Sequence, residues 1–219
     1  MTVKVKICGV RTPAILDAAV SAGADLVGLV FFVKSPRSLT IPEARGLADA
    51  ARGRIRTVAV MVDPEDALIE QVATDVRPDI LQLHGQESPD RVAAIKERSG
   101  LPVFKGLAVS QGSDVASAAA YADVADRVVF DTKAPPGAVL PGGNGIAFDW
   151  SLLDAAPRPF ALSGGLDAGN VAEAIRLTDA SLVDVSSGVE TAPGEKDARL
   201  IWQFIQAVRS ASSQHRKAP

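Results

Sequence analysis

The chain has little with which to build a metal centre or a covalent cross-link. Its 219 residues contain one cysteine, Cys8, and two histidines, His84 and His215. A single cysteine excludes an intrachain disulfide and any multi-cysteine metal site, and two histidines make a poor zinc donor set. A zinc site is not expected. Charge of one sign is also missing. Lys and Arg number 23 against 26 Asp and Glu, for a net charge of −3. That balance carries no electrostatic footprint for nucleic acid or an anionic membrane surface. No apolar run approaches the ~18 residues of a membrane span. Met1-Thr2 leads straight into strand-like sequence, which leaves no room for a signal peptide. The expectation is a cytoplasmic protein with no nucleic-acid or membrane partner.

What is present is an alternation. Short apolar, β-branched runs at 3–8, 26–31, 57–62, 79–83, 103–107, 127–131, 160–163 and 182–185 read as strands. Helical patterns follow each of them, at 12–22, 41–51, 65–75, 88–99, 113–121, 149–154, 167–176 and 197–209. Thr12-Pro13, Thr40-Ile41-Pro42-Glu43, Asp63-Pro64-Glu65 and Ser88-Pro89 each read as a helix cap followed by an early proline. Strict βα alternation predicts a parallel sheet with helices outside. Eight units in a row predict a single (β/α)8 barrel, of the TIM-barrel class, over residues 1–209, with 210–219 as a polar frayed tail. The rival is an open doubly wound sheet, but that fold places its glycine-rich phosphate loop after the first strand. Here Gly9-Val10-Arg11 follows the first strand, and the paired glycines come late.

In a barrel the working residues stand at the carboxyl ends of the strands. Val3, Val5 and Ile7 share one side of the first strand, and Lys4, Lys6 and Cys8 share the other. We read the polar side as pointing into the barrel. A lone cysteine is more often inert packing than a reactive group, so its neighbours must decide its role. Asp131 ends the sixth strand, three strands around the ring. A cysteine and an aspartate across one mouth can take a proton from one part of a small sugar and give one to another. Asp131 would then hold a proton through partial burial, and Cys8 would need local positive potential to lower its pKa. Strands seven and eight end in Ser163-Gly164-Gly165 and Ser186-Ser187-Gly188. Two glycine-bearing loops at this place suit a phosphate, so the expected ligand is a small phosphosugar. Arg37, in a Ser-Pro-Arg turn, offers a planar fork for a carboxylate, and His84 reads as a pocket-lining residue. The glycine- and proline-rich stretch 132–148, which holds Gly143, Asn144 and Gly145, reads as a lid. Lys6 would sit inside the barrel beneath Cys8. An unpaired charge is costly there, so we expect an ion pair with Asp184, which has the inward parity of strand eight.

Seven motifs in order resemble one family: KICG at 6–9, SPR at 35–37, QLHG at 82–85, FD at 130–131, GGNG followed by FDW, LSGGL at 162–166 and DVSSGVE at 184–190. They are similar to the phosphoribosylanthranilate isomerases of tryptophan biosynthesis. The resemblance implies an Amadori rearrangement of N-(5-phosphoribosyl)anthranilate without cofactor or metal. It implies Cys8 as general base at sugar carbon 2 and Asp131 as general acid on the furanose ring oxygen. It also implies Arg37 for the anthranilate carboxylate, and Gly164, Gly165, Ser186, Ser187 and Gly188 for the phosphate. His84, Gly143, Asn144 and Gly145 are expected around the substrate, and the protein is expected to be a monomer or weak homodimer. Two alternatives stay open at this point. One is another phosphosugar aldose–ketose isomerase of the same barrel type, and the other is a non-catalytic phospholigand-binding barrel.

Overall fold

Each strand of the barrel pairs in parallel with the next along the chain, and the eighth returns to the first. The strands are β1 (Lys4–Cys8), β2 (Leu26–Phe31), β3 (Arg56–Met61), β4 (Ile80–Leu83), β5 (Val103–Val109), β6 (Arg127–Thr132), β7 (Ala161–Leu162) and β8 (Leu182–Val185). The computed structural model describes residues 2–134, 137 and 147–215, and the side chains as far as 212. No helix among these residues is long and apolar enough to cross a membrane. Closure rests on β1 and β8, where Lys6 pairs with Asp184 and Ile7 with Val185.

Alternation along the strands creates two apolar layers. Residues such as Val5, Ile7, Val27, Leu29 and Val183 face outward and pack under the helices. Leu26, Val58, Ile80, Phe104, Val129, Ala161 and Leu182 face inward and fill the barrel. A filled interior gives rigid walls, so polar groups above it are held in fixed positions.

The helices start where the sequence predicts them to. Thr12 Oγ1 accepts from Ile15 N at 3.3 Å and opens α1 (Pro13–Ala22). Thr40 and Glu43 form a reciprocal capping box at α2 (Ile41–Ala51), with Thr40 N donating to Glu43 Oε2 at 2.8 Å. Ser88 caps α4 (Pro89–Ser99). Asp63 departs from expectation. The cap position of α3 (Asp66–Gln71) is Glu65, without a side-chain bond. Asp63 sits at φ 44° instead, and its carboxylate accepts from Gln86 N at 2.6 Å. A longer-range loop contact has displaced the local cap.

Five helical segments also differ from the sequence reading. α3 runs on as a π-helical turn over Val72–Val76. α5 is only Gly112–Ala116, followed by a 3-10 turn over Ser117–Tyr121, and Trp150–Ala155 is a 3-10 helix throughout. α6 (Val171–Thr178) begins late, after Asp167 has accepted hydrogen bonds from Gly169 N and Asn170 N. α7 (Ala198–His215) outlasts the predicted end at 209, because Ser212 is buried and bonds back to Val208 O. One element is new: a short antiparallel hairpin, β9 (Glu190–Ala192) with β10 (Glu195–Lys196), between β8 and α7.

Candidate active site

Seven of the eight strands, or the loops directly after them, line a single cavity at the carboxyl end of the barrel. Val30, Val60 and Val62 supply apolar wall, and Cys8, Arg37, Gln82, His84, Asp131 and Asp184 supply chemistry. Ser163, Gly164, Gly165, Ser186 and Ser187 line the same cavity from β7 and β8. Of the predicted site residues that can be described, all but Gly188 line this cavity, and Gly188 packs instead against the backbone of Leu166. Gly143, Asn144 and Gly145 lie outside the described residues.

Cys8 stands on the inward side of β1, above Lys6. The expected ion pair is present: Lys6 Nζ lies 2.8 Å from Asp184 Oδ2, with the two side chains 1% and 5% exposed. Gly28 of β2 makes room for this group. A Cβ there would lie 2.9 Å from Cys8 Sγ and 3.3 Å from Lys6 Nζ. The thiol departs from one expectation. Burial pushes its pKa up, and the positive charges of Lys6 and Lys196 only partly offset this. For Lys6, burial works against the charged form, but Asp184 and Cys8 outweigh it and the ammonium pKa is raised.

Asp131 is the penultimate residue of β6 and is buried. Its Oδ1 accepts from Thr132 N at 2.8 Å, and its Oδ2 lies 3.0 Å from His84 Nε2. Gly164, at φ 89°, keeps this carboxylate uncrowded, since a Cβ there would lie 2.8 Å from Oδ1. Lys133 is exposed, and its charge acts on Asp114.

Arg37 is buried and held by a partner that the sequence reading did not assign. Its Nε and Nη2 donate to Glu190 Oε1 and Oε2, both at 2.8 Å. Lys196 Nζ lies 2.5 Å from Glu190 Oε1 and donates to Ser186 O at 3.2 Å. The β9–β10 hairpin therefore ties the loop after β2 to the end of β8. Burial raises the pKa of Glu190, but the bonds from Arg37 and the charge of Lys196 prevail and bring it down to about 2. Only Nη1 of the arginine fork makes no hydrogen bond among the described residues.

The loops after β7 and β8 are in close contact. A Cβ on Gly188 would run into the carbonyl oxygen of Leu166. Ser186 Oγ donates to Cys8 O at 3.2 Å and so fastens β8 to β1. Gly164 and Gly165 both have positive φ, 89° and 63°, which points successive amides in directions that a strand would not. Among the described residues, Gln82 Oε1 and Asp184 Oδ1 are buried without a hydrogen-bond partner, and both residues line the cavity.

With this geometry in place, comparison with known proteins is specific. The model of the N-(5'-phosphoribosyl)anthranilate isomerase family matches residues 5–207. A relative of that name from Bradyrhizobium sp. strain ORS 278 is 53% identical over 213 residues, covering 96% of this chain and 97% of its own. Another, from Brucella canis, is 50% identical over 216 residues, covering 98% and 97%. The crystal structure of phosphoribosyl anthranilate isomerase from Thermotoga maritima superposes with a TM-score of 0.85 at 37% identity, covering 95% of this chain and 99% of that one. A crystal structure of such an isomerase in complex with reduced 1-(o-carboxyphenylamino)-1-deoxyribulose 5-phosphate gives a TM-score of 0.82 at 35% identity, with the same coverage.

Proposed function

The chain belongs to the N-(5'-phosphoribosyl)anthranilate isomerase family, an enzyme family of tryptophan biosynthesis, and on that premise we propose that Cys8 is its general base and Asp131 its general acid. One observation carries the assignment. Two ionisable groups line one buried cavity from strands well apart on the ring, one beside a buried ammonium and the other held by two hydrogen-bonding neighbours.

For the rearrangement named for this family, that arrangement supports the following course. Asp131 gives a proton to the furanose ring oxygen as the bond from carbon 1 to that oxygen breaks. The anilino nitrogen lone pair closes to an iminium on carbon 1. Cys8, as thiolate, then removes the proton from carbon 2, and the C–H electrons form the C1–C2 double bond while the iminium nitrogen recovers its pair. The resulting enol-amine tautomerises to 1-(2-carboxyphenylamino)-1-deoxy-D-ribulose 5-phosphate. Burial resists ionisation of the thiol, and the Lys6 ammonium is the charge that makes a thiolate tolerable there.

Substrate placement follows the charge and shape of the walls. Gly164, Gly165, Ser186, Ser187 and Gly188 offer backbone amides and hydroxyls for the phosphate. Arg37 turns its remaining Nη1 edge to the anthranilate carboxylate, and His84 lines the wall beside Asp131. The test is turnover of freshly generated phosphoribosylanthranilate by wild type and by Asp131→Asn, followed by loss of substrate fluorescence. Wild type turns over, and the variant falls by about 10²- to 10⁴-fold. Undiminished turnover in the variant would remove Asp131 from the acid's role.

A further inference from the structure

His84 makes two side-chain hydrogen bonds, and with Gln82 Nε2 turned toward the ring they place its proton on Nε2. Its Nδ1 lies 3.0 Å from Gln82 Nε2, and its Nε2 lies 3.0 Å from Asp131 Oδ2. An amide nitrogen can only donate. Nδ1 is therefore the acceptor, and Nε2 carries the hydrogen and donates to the carboxyl of Asp131. The ring has little freedom to leave this position. Gly106 of β5 backs it, and a Cβ there would run into Nδ1. Gln82 is 1% exposed, and its Oε1 is buried without a partner among the described residues, so the amide is spent on the imidazole rather than satisfied in full.

We propose that His84 is a positioning residue for Asp131: with its tautomer set by Gln82, its Nε2–H aims the carboxyl and stabilises the negative charge that develops when Asp131 releases its proton. The inference rests on Asp131 being the acid. Before transfer, His84 Nε2–H already donates to the carboxyl. As the O–H bond breaks and the proton passes to the furanose ring oxygen, the carboxyl becomes a carboxylate, and that same hydrogen bond becomes charge-assisted. The Thr132 amide does the same at Oδ1. A donor already in place where charge appears stabilises the transition state more than the ground state. No further proton has to leave or arrive. The groups around the imidazole are Gln82 on its own strand, Asp131 from β6 and the backbone of Gly106 from β5. The other charged groups of the cavity, Cys8, Arg37 and Asp184, come from the far strands β1, β2 and β8.

The experiment compares His84→Ala and His84→Gln, each in the wild-type and the Asp131→Asn background. Glutamine places an amide N–H close to where imidazole Nε2–H stands, whereas alanine has no donor. His84→Ala is expected to lower kcat about 10²-fold, the cost of one donor at a developing charge, with KM little changed. His84→Gln recovers most of that loss. In the Asp131→Asn background, removing His84 costs nothing further, because its route to the reaction is gone. With two histidines in the chain, ¹⁵N spectra resolve the His84 ring, and they show the Nε2–H tautomer in wild type and its loss in Gln82→Glu. If His84→Ala turns over like wild type while Asp131→Asn is inactive, the positioning role is wrong and the acid assignment stands. If Asp131→Asn is fully active, both fall. A loss shared equally by Ala and Gln, or one that adds to that of Asp131→Asn, also overturns the proposal.

Discussion

Asp184→Asn and Lys6→Met are expected to move Cys8 in opposite directions. Lys6 Nζ and Cys8 Sγ crowd the same face of Gly28, at 3.3 and 2.9 Å from the position of a Cβ there, which places them within about 6 Å of each other. At an effective dielectric near 20, a unit charge at ~6 Å is worth about 3 kcal/mol, or about a hundredfold in the ratio of thiolate to thiol. Asp184→Asn leaves the ammonium of Lys6 without its counter-charge, so Cys8 ionises more readily. Lys6→Met removes the cation and leaves Asp184 beside the sulfur, so Cys8 ionises less readily. Cys8 is the only cysteine, so the rate of alkylation by iodoacetamide against pH, read as added mass, reports this group alone. A base works as thiolate, so turnover should rise with pH as Cys8 ionises. That rise should move to lower pH in Asp184→Asn and to higher pH in Lys6→Met. Lys6→Met also breaks a buried pair, at a cost of about 3–5 kcal/mol, so both titrations belong below the melting temperature of each variant as checked by circular dichroism. Displacement of both variants in the same direction, or of neither, would refute the electrostatic account of the base.

Other consequences follow from the same contacts. Gly28→Ala forces a methyl against Cys8 Sγ; it should cost about 1–3 kcal/mol of stability in denaturant titration and reduce kcat more than KM. Glu190→Gln should raise KM, because Arg37 loses its charged clamp, and steady-state kinetics will show the split. Glu190 is held near 2 against an ordinary 4.5, so it stabilises the fold above its unfolded value and loses that contribution as pH falls from 4.5 through about 2. Melting curves of wild type should drop across that window more steeply than those of Glu190→Gln. Lys105 Nζ, 2.8 Å from Glu87 Oε2 with both side chains buried, marks a second pair beneath the loop that carries His84. Lys105→Met should destabilise by about 3–5 kcal/mol in chemical unfolding.

Where local chemistry decides the structure, the sequence was a sufficient guide. The period-two pattern of β1 put Lys6 and Cys8 on one face, and parity at β8 put Asp184 opposite. The pair at 2.8 Å follows from those two registers. Thr12, Thr40 and Ser88 cap helices because an N-cap needs only the next turn. Asp63 fails as a cap because Gln86 N, twenty-three residues on, competes for its carboxylate. Non-local contacts of that kind hid the rest. Glu190 was visible only as the end of a motif, and its bond to Arg37 spans 153 residues. Lys196 carried no local signal beyond a charged turn. Gln82, a lone amide inside the apolar run Ile80–Leu83, was a signal that could have been read, as were Gly28 and Gly106 within strands. The raised pKa of Cys8 was out of reach, because burial of a thiol is a property of the closed barrel.

The most direct measurement of the central claim is turnover of phosphoribosylanthranilate by Cys8→Ser beside wild type at matched pH. Hydroxyl for thiol keeps the shape and removes the only group on β1 that can become an anion beside Lys6. The account predicts robust wild-type turnover and a loss of about 10²- to 10⁴-fold in the variant, with the melting temperature little changed. A variant that turns over like wild type would leave the reaction in place and contradict Cys8 as its base.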